Sequence, residues 1–187
     1  MAGKMASLSI HQTDDFAVTE RRSDLAGLAM SAVLPLAAVM VLNGMAIATG
    51  TMLPELGTRL PNWMPGWAAA LGFLVIYPMW GIAHWLVARE GEKGRVASRW
   101  LLGLITAGLA YPFVIGALDP FMAVWANVGM VLLVVAAIAN AGRAAPRAVY
   151  WIAPSLFFMG GLALSGFAAI AAGWSPGFFT NQNQAAL

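Results

Sequence analysis

Charged residues are scarce in this chain of 187 residues, and cysteine is absent altogether. Only 10% of the residues are charged, whereas a soluble domain carries about a quarter. The absence of cysteine excludes disulfides, thiolate metal sites and thiol nucleophiles. Hydrophobic residues make up 60% of the chain. The composition therefore indicates a membrane protein.

Catalytic motifs are missing as well. The sequence has no Gly-rich phosphate loop, no H-E-x-x-H motif, no nucleophile elbow and no carboxylate pair within an apolar stretch. The two histidines, His11 and His84, lie in different parts of the chain, and a lone histidine does not make a metal site. We therefore expect no enzyme activity, no catalytic residues and no bound metal.

Apolar residues gather in five blocks, each long enough to cross a hydrocarbon core of ~30 Å at about 1.5 Å per residue. None of the blocks contains Asp, Glu, Lys or Arg. Backbone groups in lipid must find partners within their own segment, so the blocks should be helices. We place them near residues 26–49, 66–88, 100–118, 120–141 and 148–172. The predicted fold class is an all-α integral membrane protein, a five-transmembrane-helix bundle.

The basic residues fall almost entirely on one side of these blocks. Nine of the ten Lys and Arg residues lie in the N-terminal segment or in the loops at 89–99 and 142–147, and only Arg59 lies opposite. By the positive-inside rule, this pattern predicts a cytoplasmic N-terminus and a periplasmic C-terminus. The net charge is only +2, and membrane topology accounts for the basic residues better than a nucleic-acid partner does.

Two polar tails flank the expected membrane domain. We divide the chain into a cytoplasmic tail at 1–25, a membrane domain at 26–172 and an uncharged non-cytoplasmic tail at 173–187. The first tail mixes polar and apolar residues, which suggests a short interfacial helix. Ser23 is then a candidate N-cap for the first span.

The stretch IYPMWGIAHWLVARE, residues 76–90, combines aromatic residues with a histidine. Trp85 and Arg89 sit where an aromatic belt and a snorkelling cation belong, so interfacial packing accounts for both. His84 is the only histidine or charged residue inside any block, and such residues in lipid are functional candidates. However, it lies about one helical turn from the interface, where the imidazole can be hydrated at little cost in free energy. A ligand or proton role and plain packing both stay open.

The stretch LPNWMPGW, residues 60–67, precedes the second block. Pro65 lies near the first turn of that helix, where proline is favoured. Trp63 and Trp67 are placed as belt residues at the non-cytoplasmic interface. In a rigid loop over the bundle they could equally roof a pocket for a flat hydrophobic ligand.

Together with YPFVIGALDPFMAVW and RAAPRAVYWIAPSLFF, these stretches resemble the TspO/MBR family, the bacterial tryptophan-rich sensory proteins related to the mitochondrial translocator protein. The resemblance runs from about residue 44 to 170 and implies a five-helix membrane bundle in the inner membrane of a Gram-negative bacterium. It also implies binding of porphyrins, sterol-like lipids or synthetic aromatic ligands beneath the first loop. The matched positions are Pro61, Trp63, Pro65, Trp67, Tyr77, Gly81, Pro112, Gly116 and Pro154.

The chain departs from the family pattern at most pocket positions. Phe73 replaces a usual Trp, and on the fifth helix Ser155, Phe158 and Gly166 replace Tyr, Trp and Asn. On the third helix, small residues replace the family's Gln, Asn and Trp. The spacing of these positions places them on one helical face, and they are Gly103, Ala107 and Ala110. Loss of the family's larger side chains either enlarges the pocket or lets the helices approach closely, so that the pocket closes.

Two functions follow from these observations. The first is a TspO-like protein that binds a tetrapyrrole, carotenoid or sterol-like lipid, with a transport or sensory role. The alternative is a non-catalytic accessory subunit of a photosynthetic or respiratory complex that keeps the scaffold. Expected partners are membrane lipids and either such a complex or a second copy of the chain. The predicted ligand-binding residues are Trp63, Trp67, Phe73, Tyr77, His84, Ala107, Ala110 and Phe158.

Overall fold

The structure, a computed structural model, describes residues 3–49, 66–118 and 120–171. Within these ranges the chain forms five helices and no strand: α1 (Gly3–Ala48), α2 (Gly66–Ala88), α3 (Arg95–Ala117), α4 (Pro120–Ala144) and α5 (Pro146–Ala171). Each contains a span long and apolar enough to cross a membrane, namely Asp24–Met45, Leu71–Ala88, Arg95–Ile115, Phe121–Ala144 and Pro146–Ala168. The predicted all-helical class and its five membrane spans are thereby confirmed.

The N-terminal segment differs from its prediction. α1 is one helix of 46 residues that runs from Gly3 through Ser23 into the first span without a break. The separate interfacial helix, with Ser23 as the cap of the next one, was wrong. From Lys4 to Ala26 the sequence contains neither glycine nor proline, so no helix-breaking residue interrupts the segment.

The helices also extend further than predicted on the side that carries most of the basic residues. α3 begins at Arg95 rather than near residue 100, and Ala145 alone separates α4 from α5. The break at Ala145 follows from Pro146, which disfavours helical geometry in the residue before it. Long arginine side chains reach water from these last turns. We call this side of the bundle the basic end, defined by Arg89, Lys93, Arg95, Arg99, Arg143 and Arg147.

Four of the helices form a ring, with α2, α3, α4 and α5 each packed against the next and α5 against α2. α1 lies outside the ring, against α2 and, over a smaller area, against α3. Only 11% of the first span is buried, against 28–33% of the other four. The ring is therefore the core of the bundle, and α1 is its peripheral helix.

The outer surface of the bundle is apolar, as lipid contact requires. Large side chains such as Leu34, Leu132, Phe157 and Leu164 are more than half exposed. In water such a surface would mark an aggregation site, whereas lipid tails are as apolar as the side chains they meet. Packing and interhelical hydrogen bonds must therefore hold the helices together.

α1 and α2 cross at close range because α2 carries a glycine at the crossing. A Cβ atom added to Gly81 would lie 1.8 Å from the backbone carbonyl oxygen of Ser31. At the basic end, the Arg89 guanidinium pairs with the Asp24 carboxylate at 2.9 Å. That pair is half exposed, so its contribution to stability is small. The glycine contact is what allows α1 to pack on the ring.

Gly81→Ala should therefore loosen α1 from α2. A methyl group at this position overlaps backbone rather than a flexible side chain, and overpacking of this kind costs roughly 1–3 kcal/mol. Thermal unfolding in detergent should show the loss as a lower midpoint. Gly129→Ala is the matched control, because a Cβ added at Gly129 has no neighbour within 4 Å. Equal midpoints for the two variants would contradict the close crossing.

Candidate functional site

Three of the predicted ligand-binding residues meet inside the ring. The Phe73 ring packs edge to face on Phe158, with centroids 5.6 Å apart, and lies 6.2 Å from the Tyr77 ring. A fourth aromatic residue, Tyr111 of α3, lies 6.3 Å from Phe73 and donates a hydrogen bond from its hydroxyl to Asn127 of α4. Sequence reasoning missed Tyr111, although it opens the stretch YPFVIG that carries part of the family resemblance.

Trp80 fills the middle of the ring one turn further along α2. It is fully buried, and its indole Nε1 donates a hydrogen bond to the Ser155 hydroxyl of α5 at 3.1 Å. Ser155 in turn donates to the backbone carbonyl of Ile152 at 2.6 Å. The Trp80 ring also stands edge to face on Tyr77, with centroids 5.4 Å apart. The indole thereby links α2 to α5 through one buried hydrogen bond.

A glycine on α3 makes room for this indole. A Cβ atom added to Gly108 would lie 2.7 Å from the Trp80 ring and 3.1 Å from the Tyr77 hydroxyl. That hydroxyl is buried and has no hydrogen-bond partner among the residues that the structure describes. At the level of Ser155 and Gly108 the space inside the ring is therefore occupied by Trp80.

The small-residue face predicted on α3 lies elsewhere. Gly103 and Ala110 are exposed, and Ala107 is half-buried. The residues of α3 that face the ring interior are offset by one position, and a one-residue offset turns a helix by about 100°. They are Leu101, Leu104, Gly108, Tyr111 and Ile115. Gly103 and Ala110 therefore lie away from the interior, whereas Ala107 packs against the edge of the core.

His84, another predicted site residue, lies on the same face of α2 as Tyr77, about two helical turns nearer the basic end. It lines a groove between α1, α2 and α3 that opens to the outside of the bundle and has a volume of about 350 Å³. We call it the lateral groove. Its walls are Met30, Ser31, Leu34, Pro35 and Ala38 of α1, Gly81 and His84 of α2, and Leu102, Ile105 and Leu109 of α3.

The imidazole of His84 is oriented by a neighbouring helix. Its Nε2 atom lies 2.8 Å from the hydroxyl of Ser98 on α3, in a half-buried hydrogen bond. No hydrogen bond joins Nδ1 to any residue that the structure describes. The ring therefore has one nitrogen fixed by the protein and one that is free to meet a molecule in the groove. Which nitrogen carries the proton depends on the tautomer.

The remaining predicted residues are placed as follows. Trp63, in the loop before α2, lies outside the described residues, and of Trp67 only the helical backbone is described. Trp85 and Arg89 occupy the basic end, with the guanidinium 4.6 Å above the indole ring. Among the side chains that are described, no group of three or more metal-binding residues occurs.

The predicted site is thus divided between two places. Phe73, Tyr77 and Phe158 belong to a packed interior, whereas His84 belongs to an open groove. No family model, curated protein or solved structure matches the chain. The functional argument therefore rests on the geometry of these residues.

Proposed function

We propose that the chain is a non-catalytic, TspO-like protein of the bacterial inner membrane that binds a hydrophobic ligand and serves transport or sensing. The observation that carries this proposal is the lateral groove, in which His84 meets otherwise mainly apolar walls. Ligand pockets have this composition, with apolar lining and a few placed polar groups. The positive-inside rule puts the basic end in the cytoplasm.

The dimensions of the groove favour an elongated ligand that arrives from the bilayer. On α1 the lining runs from Met30 to Ala38, which corresponds to about 12 Å at 1.5 Å per residue. The groove volume of about 350 Å³ lies within the usual range for small-molecule sites. Because the groove opens sideways between helices, a lipid-soluble molecule can reach it without crossing an aqueous phase.

The polar groups of the groove favour an uncharged ligand. Among the residues that the structure describes, its lining contains no carboxylate, lysine or arginine, and only Ser31 and His84 offer polar side chains. A sterol-like lipid or a carotenoid with one hydroxyl or keto oxygen matches this pattern, because the oxygen can hydrogen-bond to Nδ1 of His84. A tetrapyrrole with carboxylate side chains fits less well, since burying an unpaired charge is costly.

Ala38→Phe should block this site by filling the groove. Binding of a hydroxylated carotenoid, the fluorescent sterol dehydroergosterol and protoporphyrin can be followed in detergent by quenching of tryptophan fluorescence. We expect saturable binding of the carotenoid or the sterol, weakened at least tenfold by Ala38→Phe. His84→Leu removes one hydrogen bond, worth about 0.5–1.5 kcal/mol, and should weaken binding by roughly two- to tenfold.

The control for that experiment is Ala139→Phe. Ala139 is exposed on α4 and does not line the groove, so the same added ring should leave binding unchanged. Binding that survives Ala38→Phe, or that is lost equally with Ala139→Phe, would exclude the lateral groove as the site. No saturable binding of any of the three probes to well-folded protein would exclude the proposed function.

The accessory-subunit function is favoured by a different observation, the length of α1. The helix begins at Gly3, and its membrane span begins only at Asp24. Twenty-one helical residues, at about 1.5 Å each, extend roughly 30 Å beyond the span. Most of the stability of a helix in a protein comes from packing against a neighbour, so a partner surface would stabilise this segment.

Deletion of residues 1–22 tests that alternative. A subunit held through the N-terminal part of α1 should co-purify with a larger complex in mild detergent, and the deletion should release it. The ring of α2–α5 should stay intact, because its contacts do not involve this segment. A protein that purifies alone, with or without residues 1–22, would contradict the subunit function and leave the ligand-binding function in place.

A further inference from the structure

A second cavity lies at the basic end, between the end of α2 and the turn that joins α4 to α5. It has a volume of about 390 Å³, and we call it the basic-end cleft. It is separate from the lateral groove, since no residue lines both. Its walls are Trp85, Leu86, Arg89, Glu90, Ala145, Pro146 and Arg147.

The depth of the cleft places it at a membrane surface. The second span ends at Ala88, the fourth ends at Ala144, and the fifth begins at Pro146. The cleft therefore begins where hydrocarbon gives way to lipid headgroups. Leu86, Ala145 and Pro146 give it an apolar floor, and charged side chains stand at its rim. This combination fits a molecule with acyl chains on one side and a charged headgroup on the other.

Part of the charge in the cleft is neutralised within the protein. Arg89 pairs with Asp24 and also covers the Trp85 ring. Arg147 and Glu90, by contrast, have no side-chain partner among the residues that the structure describes. One cation and one anion thus remain for a ligand. A complementary headgroup would carry one negative and one positive charge.

We propose that the basic-end cleft binds a phospholipid with a phosphoethanolamine headgroup. Arg147 holds the phosphate with its guanidinium fork, and Glu90 accepts hydrogen bonds from the primary ammonium. A phosphocholine headgroup is disfavoured because its trimethylammonium has no N–H to donate. Such a group would need an open aromatic face, and Arg89 already covers Trp85. A phosphoglycerol headgroup offers Glu90 no cation.

Lipid titrations of the full-length protein in detergent test this proposal, with native mass spectrometry reporting apparent Kd. Phosphatidylethanolamine should bind at least about tenfold more tightly than phosphatidylcholine or phosphatidylglycerol of the same acyl chains, as expected for charge-assisted hydrogen bonds. Glu90→Gln should remove that preference, because the ammonium then loses its acceptor. Arg143→Gln should keep it, because Arg143 is exposed at the same end and does not line the cleft.

Variants at Arg147 and Glu90 also distinguish the contribution of the phosphate to binding from that of the ammonium. Arg147→Gln should weaken all three phospholipids, whereas Glu90→Gln should weaken only phosphatidylethanolamine. Soluble phosphoethanolamine serves as the competitor without acyl chains and should not displace the lipid at equal concentration. Equal affinity for the three lipids, a preference that survives Glu90→Gln, or displacement by soluble phosphoethanolamine would each overturn the proposal.

Discussion

The bundle depends on one buried hydrogen bond, between the indole of Trp80 and the hydroxyl of Ser155. In lipid the hydrophobic effect does not hold helices together as it does in water. Close packing and interhelical hydrogen bonds must do so instead. Trp80 supplies both, because it fills the ring and also has an N–H that needs a partner. Gly108 completes the arrangement by leaving room for the indole on α3. Three helices of the ring thus meet around a single side chain.

The indole of Trp80 closes the described interior of the ring at one level, so a ligand at that level must bind outside the ring. A concave surface at membrane depth lies between α1, α2 and α3, where α1 crosses α2. Gly81 belongs both to that crossing and to the wall of the lateral groove. Packing of α1 on the ring and formation of the groove are therefore coupled. A change that moves α1 should alter the groove even if it touches none of the polar residues there.

The sequence was sufficient to predict the number of helices and most of their ends, because apolar length and charged loops report these directly. Phe73, Tyr77 and Phe158, which the family resemblance places in one site, are neighbours in one aromatic cluster. The sequence could not predict how α3 is oriented about its own axis, and this orientation places Gly108 rather than Ala107 against the interior. A helix that is apolar on all sides has no polar face to set its rotation.

A double-mutant cycle on Trp80→Phe and Ser155→Ala tests the central interaction most directly. Each variant is expected to be less stable than the parent, and the free energies of unfolding should not add. Interhelical hydrogen bonds in membrane proteins contribute about 0.5–2 kcal/mol, and we expect a coupling energy in that range. Ser165 is the internal control, because its hydroxyl bonds only to the Gly161 carbonyl of its own helix. Coupling near zero between Trp80 and Ser155, equal to that between Trp80 and Ser165, would contradict the account.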